Sequence, residues 1–168
     1  MASAILVLGV GNLLLRDEGL GVHAVRLFAQ TYAVSPNVRV LDGGTAGVGL
    51  LNEILACDHL IVADVARLDA PPGTIARLQG PSLARVFKAK QSAHDWGLGE
   101  VLLQANLVGH APAVVIVAVE PDDMTTFDLE LSPCMSARLP AVVACLAAEV
   151  EAAGGRLMAR LAVAPGPT

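Results

Sequence analysis

AILVLGVGNLLLRDEGLGVHAV, running from Ala4 to Val25, is the stretch that decides the fold. Its opening residues, Ala4–Val10, are apolar without polar alternation, which is how a strand buried on both faces of a sheet reads. An acidic, glycine-bearing turn follows at once and carries Glu18. In an open parallel α/β sheet, ligands bind in the crevice outside the carboxyl ends of the strands. The turn therefore puts a carboxylate at the edge where function resides.

Further along, Val38–Leu41, Leu60–Ala63 and Ala113–Val119 repeat the buried-strand pattern, and Thr74–Leu78, after Pro71-Pro72-Gly73, reads as an edge strand. Helical periodicity lies between them. Leu98, Val101, Leu102 and Ala105 share one helix face, and Leu50, Leu51, Ile54 and Leu55 form another, with Thr45 expected as N-cap. A last helix carries Leu139, Val142, Val143, Leu146 and Val150 and stops at Gly154-Gly155, with Pro140 expected in its first turn. This alternation predicts right-handed βαβ units: a three-layer α/β fold with a twisted, mainly parallel sheet of about five strands and helices on both faces. One domain over residues 1–160 is expected, followed by a disordered tail over 161–168.

The 168 residues suffice for a real core, and because 54% are hydrophobic but only 3% aromatic, that core must be built from Ala, Val and Leu. Mean hydropathy is high at +0.60, yet Gly, Asp or Arg interrupts every apolar run short of the roughly 20 residues a spanning helix needs. The N-terminus lacks a positive n-region and reads as a strand, so a cytoplasmic protein with no membrane partner is expected. A formal net charge of −5 with scattered Lys and Arg argues against nucleic acid. Cys57, Cys134 and Cys145 show no CxxC spacing and read as spectator thiols.

Gly9-Val10-Gly11 after a strand invites a dinucleotide-binding reading, with Asp42 where a ribose-binding acid would sit. Leu14, however, occupies the position of the third glycine, and the following residues are bulky and charged. A tight strand exit explains Gly9 and Gly11 better. GxSxG and HExxH are absent, and Cys57-Asp58-His59 spans a helix end and a strand start. A Glu18–Asp64 glycosidase dyad would want aromatic platforms that this chain lacks. Three residues remain. Glu18 follows the first strand, Asp64 ends the run His59–Ala63, and His94 precedes the helix containing Leu98, with Ser92 available to cap it. All three are expected at the same rim of the sheet. Two carboxylates and one imidazole suit a borderline divalent ion such as nickel or zinc, with positions left open for substrate.

The segments LVLGVGNLLLRDEGLGV (Leu6–Val22), VLDGGTAG (Val40–Gly47), HLIVADV (His59–Val65), SAHDWGLGEVL (Ser92–Leu102) and VAVEPDDM (Val117–Met124), in this order, resemble the nickel–iron hydrogenase maturation endopeptidases. The resemblance covers Ile5 to Val150. It implies that Glu18, Asp64 and His94 contact nickel, and that Asp42 is functionally sensitive without being a ligand. It also implies the activity: removal of the C-terminal extension from the precursor of a hydrogenase large subunit. The partner is then that precursor, and the nickel arrives with the substrate, with no organic cofactor; apart from the resemblance, a monomer is expected. Asp95-Trp96 departs from the family's usual residues; the indole lines the substrate groove or packs on a neighbouring helix. Two other classes fit the same residues, a non-catalytic nickel-sensing chaperone and a nucleotide-binding oxidoreductase.

Overall fold

The computed structural model describes residues 2–84 and 97–160. Strand β1 (Ile5–Val10) is buried along its whole length, as its unbroken apolar run requires. It lies between two parallel neighbours, β3 (Val38–Gly44) and β4 (His59–Val65). Beyond β4, β6 (Ala113–Val119) continues the parallel pairing, and β5 (Ile75–Gln79) closes that edge antiparallel to β6. The order β3-β1-β4-β6-β5 is the mainly parallel five-stranded sheet that the sequence predicts.

Strand alternation sorts the core into two layers. Ile5, Val7, Ile61 and Val117 face helices α1 (Leu20–Thr31) and α4 (Pro133–Ala152), packing with Phe28 and Met135. Leu6, Leu8, Val62 and Ile116 face α2 (Leu51–Leu55) and α3 (Leu98–Leu107), packing with Ile54 and Val101. Helix α1 lies almost on the sheet backbone. A Cβ at Gly21 would stand 2.2 Å from the Ala63 carbonyl oxygen and 2.3 Å from that of Val10. A Cβ at Gly9 would stand 2.2 Å from the Gly21 carbonyl oxygen.

Some elements depart from the sequence expectation. Helix α4 begins at Pro133, with Ser132 as its N-cap, so Pro140 sits inside the helix and not in its first turn. Pro140 is solvent-exposed, which leaves the carbonyl it cannot satisfy on the wet side of the helix. At 20 residues α4 is also long and apolar enough to cross a membrane by length and composition, which the reading of interrupted runs did not anticipate. Its stripe of Met135, Val142, Leu146 and Val150 is committed to the core. Thr45 does not cap a helix: the chain passes from Ala46 into a 3-10 turn, Gly47–Leu50, before α2 begins at Leu51. A second, two-stranded antiparallel sheet of β2 (Tyr32–Val34) and β7 (Leu157–Ala159) was not expected. The expected tail, 161–168, lies outside the described residues.

Candidate active site

The connections leaving β1 and β4 run in opposite directions across the sheet, toward its two edges. From β1 the chain enters α1 and returns as β3 at one edge; from β4 it runs to β5 at the other edge, and then through α3 to β6. Adjacent strands whose exits diverge in this way open a crevice at their carboxyl ends, the usual ligand site of such sheets. Glu18 and Asp64 belong to these two strand exits.

Glu18 lies in a 3-10 turn, Arg16–Gly19, that packs against β4. Its amide donates to the Leu15 carbonyl at 3.0 Å. Gly11 makes this turn possible. Its φ is +143°, and a Cβ there would stand 1.9 Å from the Glu18 carbonyl oxygen. The space by Gly11 is therefore filled by the chain itself, which agrees with a tight strand exit and leaves no glycine-lined opening at that position. Asp64 is 1% exposed, and its Oδ1 accepts from the Val65 amide at 2.8 Å. Its register partner is Ala118, which packs in the α2–α3 layer, so alternation puts Asp64 on that face.

Asp42 occupies a different place. It pairs in register with Gly9 near the end of β3, at the same rim. Its carboxylate lies with α1: Arg26 Nε and Nη2 both donate to Oδ2, at 2.9 and 2.7 Å, and the Gly44 amide donates to Oδ1 at 3.2 Å. Alternation thus puts Asp42 and Asp64 on opposite faces of one sheet edge. Asp42→Ala is expected to cost about 1 kcal/mol or less of stability, since the ion pair is largely exposed. Thermal melting checks this; a loss of several kcal/mol would mean that the ion pair holds β3 to α1 more tightly than its exposure allows.

His94 lies outside the described residues, as do Ser92 and Trp96. Among the described residues no three His, Cys, Asp or Glu side chains form a metal-binding group. All three cysteines are free. Cys57 is buried at the amino end of the sheet, where burial pushes its thiol up to about 11. It is protonated at neutral pH, so it is a poor nucleophile, and Asp58 beside it is engaged in accepting from the Ala4 amide at 2.8 Å.

Two further acids at this rim escaped the sequence reading. Glu120, just past β6, is 5% exposed; it accepts from the Leu68 amide and from Arg67 Nη1 at 3.2 Å, tying the exit of β4 to the exit of β6. Its sequence signal is the one Asp64 gives, an acid that ends an apolar run. Asp17 is fully buried. Beside these charged groups the same segments carry exposed apolar side chains. Leu14, Phe127 and Leu129 are exposed on either side of a backbone bridge between Leu15 and Asp128.

Known proteins resemble this chain in sequence and in fold. Residues 22–149 match the family described as HycI, hydrogenase maturation protease. The chain is 40% identical over 148 residues to the hydrogenase 2 maturation protease of Escherichia coli K12, covering 86% of this chain and 89% of that protein. It is 39% identical over 141 residues to the hydrogenase expression/formation protein HupD of Thiocapsa roseopersicina, covering 82% of this chain and 64% of the relative's length. Among solved structures, the hydrogenase maturating endopeptidase HybD from E. coli superposes with a TM-score of 0.87 at 35% identity, covering 94% of this chain and 98% of the other.

Proposed function

The chain belongs to the hydrogenase maturation protease family, and on that premise we propose that it is an endopeptidase acting on the nickel-loaded precursor of a nickel–iron hydrogenase large subunit. It removes the precursor's C-terminal extension, and the precursor's own nickel serves as the signal that maturation has reached the point of cleavage. The observation that carries this reading is the meeting of the Glu18 turn with the buried carboxylate end of β4 at the divergent strand exits. Glu18 and Asp64 supply oxygen donors there, and His94 is the proposed third donor. Oxygen and imidazole donors without a thiolate make an incomplete, relatively hard set. Such a set is suited to completing the coordination of a metal that the substrate already holds. Once engaged, the metal would polarise the scissile carbonyl or activate water, with Asp64 or Glu18 as general base. The exposed Leu14, Phe127 and Leu129 share the rim, where an apolar surface suits contact with the precursor.

The source of the metal is the direct test. Enzyme treated with EDTA, freed of chelator and mixed with nickel-loaded precursor is expected to cleave at the untreated rate, read from the product mass. The same enzyme should leave nickel-free precursor intact. Loss of activity restored only by added zinc would make this a conventional metalloprotease. Binding of the nickel-loaded precursor without cleavage would make it a chaperone.

A further inference from the structure

The turn that presents Glu18 is anchored by the residue before it. Asp17 is 0% exposed. Its Oδ1 accepts from the Ser132 amide at 2.7 Å; its Oδ2 accepts from the Asp123 amide at 2.8 Å, the Ser132 hydroxyl at 2.9 Å and the Asp122 amide at 3.1 Å. The backbone doubles the connection: the Asp17 amide donates to the Asp123 carbonyl at 3.1 Å, and the Arg16 amide donates to that of Asp128 at 3.0 Å. All these partners lie in the segment between β6 and α4. That segment is itself stiffened, because Asp123 also accepts from the Thr126 hydroxyl and from the amides of Thr125 and Thr126, which hold its carboxyl well below the usual carboxylate range.

A carboxylate offers only acceptors, and four donors aimed at one buried point leave little choice of side chain. The anchoring acts where precision matters. Glu18 follows Asp17 directly, and its amide and carbonyl are fixed against Leu15 and Gly11. We infer that Asp17 is a positioning residue: it fixes the turn that projects Glu18 to the β6–α4 segment, and so sets where the Glu18 carboxylate stands during cleavage. The inference rests on the peptidase reading of the site.

Asp17→Asn is the test, because it keeps the shape but turns an NH2 group toward the converging donors. In folded protein well below its melting temperature, kcat for precursor cleavage is expected to fall about tenfold or more, the usual scale for a group that orients a reacting ligand. KM should change little. The Glu18 amide resonance should move in a 1H–15N spectrum, and the Asp122, Asp123 and Ser132 amides should exchange faster. Folded Asp17→Asn with wild-type kcat would overturn the inference, since a purely structural acid alters melting but not the turnover of folded enzyme. If Asp17→Asn does not fold, Ser132→Ala decides. It removes one hydroxyl donor, and with it the α4 N-cap, but keeps the Ser132 amide; measured in folded protein, it is expected to lower kcat by a smaller factor at unchanged KM, and wild-type kcat would again overturn the inference. A wild-type chain that cleaves no precursor would sink the peptidase reading, and the Glu18 resonance would then judge the positioning claim alone: unmoved in Asp17→Asn, it overturns it.

Discussion

Asp64→Asn is expected to lower kcat/KM for precursor processing by about a hundredfold or more, the scale of losing a general base or a charged ligand. The substitution is nearly isosteric, and the amide oxygen can still accept from the Val65 amide, which Asp64 Oδ1 now does at 2.8 Å. What disappears is the negative charge at the carboxyl end of β4. Melting should therefore shift by far less than activity, and mass spectrometry of the precursor after timed incubation reads the difference. Processing at the normal rate would mean that the carboxylate serves neither as ligand nor as base. Collapse of the fold would instead mark Asp64 as a structural acid whose burial at 1% exposure serves packing alone.

The second large effect is on stability. Gly21→Ala places a methyl 2.2 Å from the Ala63 carbonyl oxygen, 2.3 Å from the Val10 carbonyl oxygen and 2.9 Å from the Val10 nitrogen. Normal contact needs more than an ångström of additional room, and all three neighbours are backbone atoms, so helix α1 must lift from the sheet. Alanine is worth about 1 kcal/mol over glycine in a helix, but overpacking against rigid neighbours costs about 3 kcal/mol or more. The strain wins. A fall in Tm of roughly 5 °C or more follows for a domain of this size. Gly49→Ala is the control, since its added methyl meets only the Ala46 Cβ at 3.8 Å. Equal melting of the two variants would show that the α1–sheet contact is softer than its geometry.

What could be read in advance follows from where the information lies along the chain. Ile5–Val10, His59–Val65 and Ala113–Val119 are buried strands whose composition reports their surroundings directly. Glu18, Asp42 and Asp64 were placed at the sheet rim because each ends or follows such a run. Asp17 gave no comparable signal: its donors come from 105 to 115 residues away and are mostly backbone amides, which sequence does not distinguish. The opposite-face placement of Asp42 and Asp64 needed the register of both strands to be known. The start of α4 is hidden by its two prolines: Pro140 reads as a first-turn proline, whereas Ser132-Pro133 forms the cap and the first turn. Strands β2 and β7 are three residues each and only half-buried or exposed, too short for any period to show.

That small sheet has a practical bearing. Helices α1 and α4 both start at the carboxyl rim and run back beneath the sheet, so the pairing of Tyr32 with Ala159 and Val34 with Leu157 gathers their far ends at the amino edge. A helix of 20 residues spans about 30 Å. An affinity handle, fluorophore or surface tether attached at β7 therefore starts from the pole opposite the carboxyl rim. Immobilised through that strand, the protein would present its carboxyl rim outward, where the proposed precursor would approach.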